Sequence, residues 1–150
     1  MNIFYLDRDI SKSVQFLVDK HVVKMPLETA QLLCNAVIIN KGIAPYKLTH
    51  IKHPCTIWTA SSIHNFDWLR KYGIALCAEY TYRYNKIHKC ENVIRDLVPI
   101  NFGDFGFYEP PQCMPDVYSN KDTVKAYRNY YRAEKYPLFK WTNRPTPCWI

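Results

Sequence analysis

From near Ser11 the chain reads SVQFLVDKHVVKMPLETAQLLCNAVI, and its apolar residues recur at helical spacing throughout. No other stretch constrains the fold as much. Ser11 is a suitable N-cap, and Pro26, inside the run, is expected to kink the helix or divide it in two. A second run from about Ser62 to Lys86 has the same period, weakened at Gly73 by up to about 1 kcal/mol relative to alanine. A short helix from Glu91 to Leu97 and a last one starting at Asn120 or Asp122 complete the set. Between them, INKGIAPYKLTHIKHP reads as a loop, because Gly42, Pro45 and Pro54 stop regular structure. Residues 98–119 hold four prolines and two glycines and are expected to be irregular. The chain contains four glycines in all and no Asn-Gly or Asp-Gly hairpin signal. The expected fold is therefore all-α: one helical bundle over residues 1–150, with a kinked first helix, a long irregular loop and an extended C-terminal tail.

A chain of 150 residues hides roughly 70% of its unfolded surface on folding, enough for a core without staples. Aromatics make up 15%, which excludes a disordered chain. The opening MNIFYLDRD carries acids and no apolar run, so no signal peptide is expected. Nor does any stretch reach the roughly 20 apolar residues of a membrane span, and a cytoplasmic protein is expected. Cys34, Cys55, Cys77, Cys90, Cys113 and Cys148 form no C-x-x-C pair; they read as reduced thiols in packing roles, with no metal site.

The net charge of +7 excludes an acidic DNA mimic and suits a polyanionic partner. Residues 121–150 carry +5 of it, whereas 101–120 carry −3. In that last segment Arg128, Tyr131, Arg132, Lys140 and Trp141 mix cations with aromatics, a pattern suited to phosphate contact and base stacking. The plainer alternative turns the aromatics to the core and the lysines to water, but Tyr130 and Tyr131 cannot both point inward.

On the first helix His21, Lys24, Glu28 and Gln31 fall within a sector of about 80°, bordering the apolar face of Val22, Met25, Leu32 and Ala36. Such a stripe can line one wall of a cleft and offers an acid, a base and an amine. The alternative is a solvated face whose Lys24–Glu28 pair contributes a few tenths of a kcal/mol. In the loop ahead of Pro54, His50, Lys52 and His53 are candidates for substrate contact. As a metal pair the two histidines lack a neighbouring cysteine or carboxylate cluster. Glu79 and Arg83 form an i,i+4 pair on the second helix, either structural or a second acid for the cleft.

The run DKHVVKMPLE resembles the first helix of the phage pyrimidine-dimer DNA glycosylases, the endonuclease V family, in which a Glu also follows the His by seven residues. HPCTIW and WLRKYGIALCAEYTYRY resemble two further segments of that family in the same order, and both chains end in a basic, aromatic tail with Arg-Pro-Thr. The opening MNIFYLD also resembles a set of uncharacterised phage proteins. The resemblance implies a mainly helical fold whose amino terminus reaches the active site. There the α-amine attacks the sugar C1′, displaces the base as an imine forms, and β-elimination then cuts the strand. It implies that Glu28 is the essential acid and His21 the first-helix histidine. An α-amine, of pKa near 7.7–8.0 against about 10.4 for lysine, is neutral roughly 300-fold more often at pH 7, so Met1 is a better nucleophile than Lys24. Asn2 disfavours removal of Met1. The chain departs from the family where arginines flank its Glu, which here are Leu27 and Gln31, and in the added residues 98–119.

These observations point first to a DNA N-glycosylase, with or without lyase activity, acting on a damaged or modified base. An enzyme acting on a free nucleotide and a non-catalytic nucleotide or host-factor binder are the alternatives. No cofactor is expected; the partner is DNA or a nucleotide.

Overall fold

The computed structural model describes residues 1–150 and contains six α-helices and no strand. They are α1 (Ile10–Gln15), α2 (Asp19–Ile39), α3 (Pro54–Ser61), α4 (Ile63–Tyr84), α5 (Glu91–Asp96) and α6 (Thr123–Glu134), with 3₁₀ turns at Asp116–Tyr118 and Tyr136–Leu138. The all-α expectation holds. α2 packs on α4 and α3, and α4 also carries α1 and α5. One cluster of 28 buried apolar residues joins them, from Ile3 to Tyr131.

Local signals set most helix starts. Ser62 caps α4 by accepting the His64 N–H, and Asp122 caps α6 through the Val124 and Lys125 N–H groups. α3 was not expected. His53 caps it and Pro54 occupies its first turn, where proline's missing N–H costs nothing. Gly73 is a packing requirement: a Cβ there would lie 2.8 Å from Thr29 Cγ2 and within 3.2 Å of two Ile94 carbons, so α4 approaches α2 and α5 closely.

The division of the first helix falls at residues 16–18, not at Pro26, which lies inside continuous α2. Distant side chains stabilise the break by taking its orphaned backbone groups. The buried Arg83 guanidinium donates to the carbonyls of Gln15 (2.9 Å) and Leu17 (2.9 Å) and to Asp19 Oδ1 (3.0 Å). Trp141 Nε1 donates to Phe16 O, and Tyr131 Oη accepts the Val18 N–H.

α2 is also more apolar than expected. An 18-residue window has mean hydropathy 1.4, long and apolar enough to cross a membrane. Some 61% of that window is buried against the protein's own helices, as in the core helix of a globular fold.

Candidate active site at the amino terminus

The first six residues are extended, and Ile3, Phe4, Tyr5 and Leu6 are buried. Side chains from across the fold take up their backbone groups. Tyr72 Oη donates to Phe4 O (3.1 Å), and Arg128 Nε donates to Leu6 O (2.8 Å). Asn2 is the clamp: its N–H donates to Glu28 Oε2 (3.0 Å), its Nδ2 to Cys113 O (2.9 Å), and its Oδ1 accepts from Tyr127 Oη (2.8 Å). Successive backbone nitrogens lie under ~4 Å apart, so the Met1 nitrogen is within about 7 Å of the Glu28 carboxylate.

Glu28 is 13% exposed, and its second oxygen, Oε1, pairs with Lys24 Nζ at 2.9 Å while Lys24 itself reaches into solvent. His53 closes the other side. Its Nδ1 accepts the Cys55 N–H at 3.1 Å, which orients the ring. Burial and the nearby positive amino terminus push its pKa down, partly opposed by Glu28 and the Met1 backbone, so it is neutral at pH 7. Cys55 Sγ and Cys113 Sγ are 3.5 Å apart beside it. The Cys55 thiol donates to Cys113, which makes Cys113 the more acidic of the two and raises Cys55. A groove of about 520 Å³ adjoins Lys24, lined also by Val23, Leu27, Tyr46, Tyr80 and His88.

Met1, Lys24, Glu28 and His53 are thus brought together, with exposed His50 and Lys52 on the adjoining loop. Gln31 is at the same face but is occupied: its Nε2 donates to Asn35 Oδ1 (3.0 Å) and Lys47 O (2.9 Å), holding that loop to α2. Sequence reasoning missed Asn2, Cys55 and Cys113, because only the fold brings residue 113 to residue 2.

Other expected site residues serve the core. His21 is buried, stacked on Phe4 at 4.3 Å and bonded through Nδ1 to Tyr131 Oη at 2.7 Å. It positions the amino-terminal segment two helical turns, about 10 Å, from Glu28. Tyr131 is fully buried and cannot stack on a base. Arg128 pairs with Asp7 (2.9 Å) and lies over Trp149 (5.1 Å), and Trp141 is pinned to Phe16. Of the five basic and aromatic candidates, Arg132 and Lys140 remain exposed, and Arg132 donates to Trp149 O and Asn129. The core reading is realised for Tyr127 and Tyr131, whereas Tyr136 stays exposed.

His21 makes folding pH-dependent. Burial, with lesser effects from Lys135 and Lys24, lowers its pKa from 6.5 to about 4. Between those values the unfolded chain binds the extra proton, so stability falls as pH drops from 6.5 towards 4, by up to about 3 kcal/mol. Urea unfolding at pH 7 and pH 4.5 should show a drop in the wild type that is largely missing in His21→Gln. Equal drops would show that other groups set it.

The chain belongs to the pyrimidine dimer DNA glycosylase family, whose model matches residues 1–92. It is accordingly a DNA N-glycosylase acting on a damaged base, and DNA is its substrate. The matched span includes Met1, Glu28 and His53 and ends before Cys113 and the C-terminal tail. No curated protein and no solved structure matches the chain.

Proposed function

We propose that the enzyme works as a glycosylase and lyase through the α-amine of Met1. The supporting observation is the Asn2 N–H···Glu28 bond, which brings residue 1 beside the carboxylate. His53, its Nδ1 holding the Cys55 N–H, stays neutral beside the amine, whose ammonium proton passes to solvent. The amine then attacks C1′ as the C1′–base bond breaks, and the base leaves with its electron pair. Sugar-ring opening gives an iminium, whose positive charge Glu28 stabilises. Loss of a C2′ proton and departure of the 3′ phosphate then cut the strand. Lys24 holds Glu28 Oε1, leaving Oε2 turned to the amino-terminal segment.

The DNA-facing surface combines Lys24, His50 and Lys52 with Leu27 and Ile51, both 52% exposed. The cations meet phosphates, and the two apolar side chains suit a wedge that helps unstack the lesion. With Leu27 and Gln31 where the family has arginines, cationic grip comes from the loop and from Lys24. This favours a lesion held by different contacts from a pyrimidine dimer. Binding to lesion duplex should weaken steeply between 50 and 200 mM salt, and a flat response would show that these cations do not meet phosphates.

Borohydride reduction in the presence of abasic-site duplex tests the amine. Wild-type protein should give a covalent protein–DNA adduct mapping to Met1. A variant carrying two extra residues ahead of Met1 should give none at that position and retain its fold by circular dichroism. An adduct on Lys24, or unchanged trapping in the extended variant, would overturn the assignment.

A further inference from the structure

We propose that His53, Cys55 and Cys113 form a Cys₂His site for a thiophilic divalent cation of the zinc class, with the Met1 α-amine closing the fourth position. The masking of the amine rests on the reading above; the cation site does not. The ligand atoms of the three side chains all lie within 4.8 Å of one another. Two sulfurs about 2.3 Å from a tetrahedral zinc ion are about 3.8 Å apart. The observed 3.5 Å therefore needs a few tenths of an ångström of opening, whereas a disulfide would need closure to about 2.05 Å.

The surroundings suit thiolates. Two backbone donors lie close to the sulfurs: the Ile3 N–H, which donates to Asn2 Oδ1 (2.8 Å), and the Cys55 N–H, which donates to His53 Nδ1 (3.1 Å). Either ring nitrogen of His53 can ligate only by giving up its cap bond to Cys55. The amino terminus is near enough for its charge to act on all three side chains. Cys55 is buried at the floor, while half-buried His53 and Cys113 leave an approach from outside. Cys113 is brought in by the irregular segment, its N–H donating to Tyr127 Oη (3.3 Å) and its carbonyl accepting from Asn2.

The protons balance simply. Cation binding displaces one proton from each thiol and one from the ammonium to solvent, the imidazole gives a lone pair, and two thiolates neutralise the ion. Affinity therefore rises with pH. An amine bound to the cation has no lone pair left for C1′, so occupancy and imine formation exclude each other.

Cobalt(II) titration of the reduced, metal-free full-length protein tests the site. One equivalent should bring up thiolate-to-cobalt charge-transfer absorption in the near ultraviolet, and one equivalent of zinc should bleach it. Cys113→Ser and His53→Asn, the latter able to keep the helix cap, should each weaken binding by at least about tenfold. Cys148→Ser, on the exposed tail, should leave it unchanged. No saturable charge-transfer band in wild type, or one indifferent to both substitutions in folded variants, would overturn the proposal. So would a Cys55–Cys113 disulfide as the only reactivity of the pair. In a second arm, zinc should abolish borohydride trapping and a chelator restore it, with Cys113→Ser resisting zinc. A protein that binds cobalt as described but never traps DNA would refute the amine reading and leave the cation site standing.

Discussion

Glu28→Gln should lower base release in single-turnover assays by about 10²–10⁴-fold while leaving folding and duplex binding nearly unchanged. The substitution is a clean one here. A glutamine oxygen can still accept the Asn2 N–H, so the amino-terminal segment keeps its anchor. The negative charge beside the amino-terminal segment is lost, and with it the pair to Lys24, whose exposed ammonium can turn to solvent. The Glu28 carboxylate is 13% exposed and held by two partners, so under the proposed mechanism it would meet the developing iminium without waiting for solvent to reorganise. Borohydride trapping on abasic duplex should fall in parallel, because imine formation and elimination need the same carboxylate. A Glu28→Gln enzyme within a few-fold of wild type would remove Glu28 from the chemistry and leave it as a clamp for Asn2.

Arg83→Met should cost about 3–5 kcal/mol of folding stability, the range found when one partner of a buried ion pair is removed. Arg83 is 4% exposed and donates to Glu79 Oε1 at 2.7 Å as well as to Asp19 and the carbonyls of Gln15 and Leu17. Methionine fills similar volume but leaves two carbonyls unpaired and Glu79 buried with Arg144 as its remaining partner (2.9 Å). The helix break at residues 16–18 loses two of its supports at once. Arg144→Ala should cost less than half as much, because its side chain is 22% exposed and Arg83 continues to neutralise Glu79. Chemical denaturation of the two variants measures the difference. Comparable losses would show that Glu79, and not the break, is what Arg83 supports.

The contrast between α4 and the first helix shows what the amino-acid pattern could reveal. Ser62 and Asp122 carry their own start signals, and the helices after them begin where local chemistry places them. The break after Gln15 has no such signal. It is imposed by Arg83, Tyr131 and Trp141, residues 66 or more positions away, each supplying the hydrogen bond that helix continuation would otherwise make. Pro26 was the local suspect for a division, yet α2 runs through it unbroken. The same division runs through the site. Glu28 and Lys24 were legible because one helix face displays them together. Cys113 was not, since its closeness to Cys55 spans 58 residues and arises only when the irregular segment folds back. The tail misled for a related reason: alternating basic and aromatic residues describe a nucleic-acid surface and a packed seam equally well, and Tyr131 proves to belong to the seam.

The seating of the amino-terminal strand also fixes an order of events during synthesis. Asn2 and Leu6 leave the ribosome long before the groups that grip them, which lie at positions 113, 127 and 128. Until translation has passed those codons, the nascent strand has no complete berth. Seating of the strand is thus timed by the growing polypeptide itself, and a half-made chain cannot yet hold this segment in place.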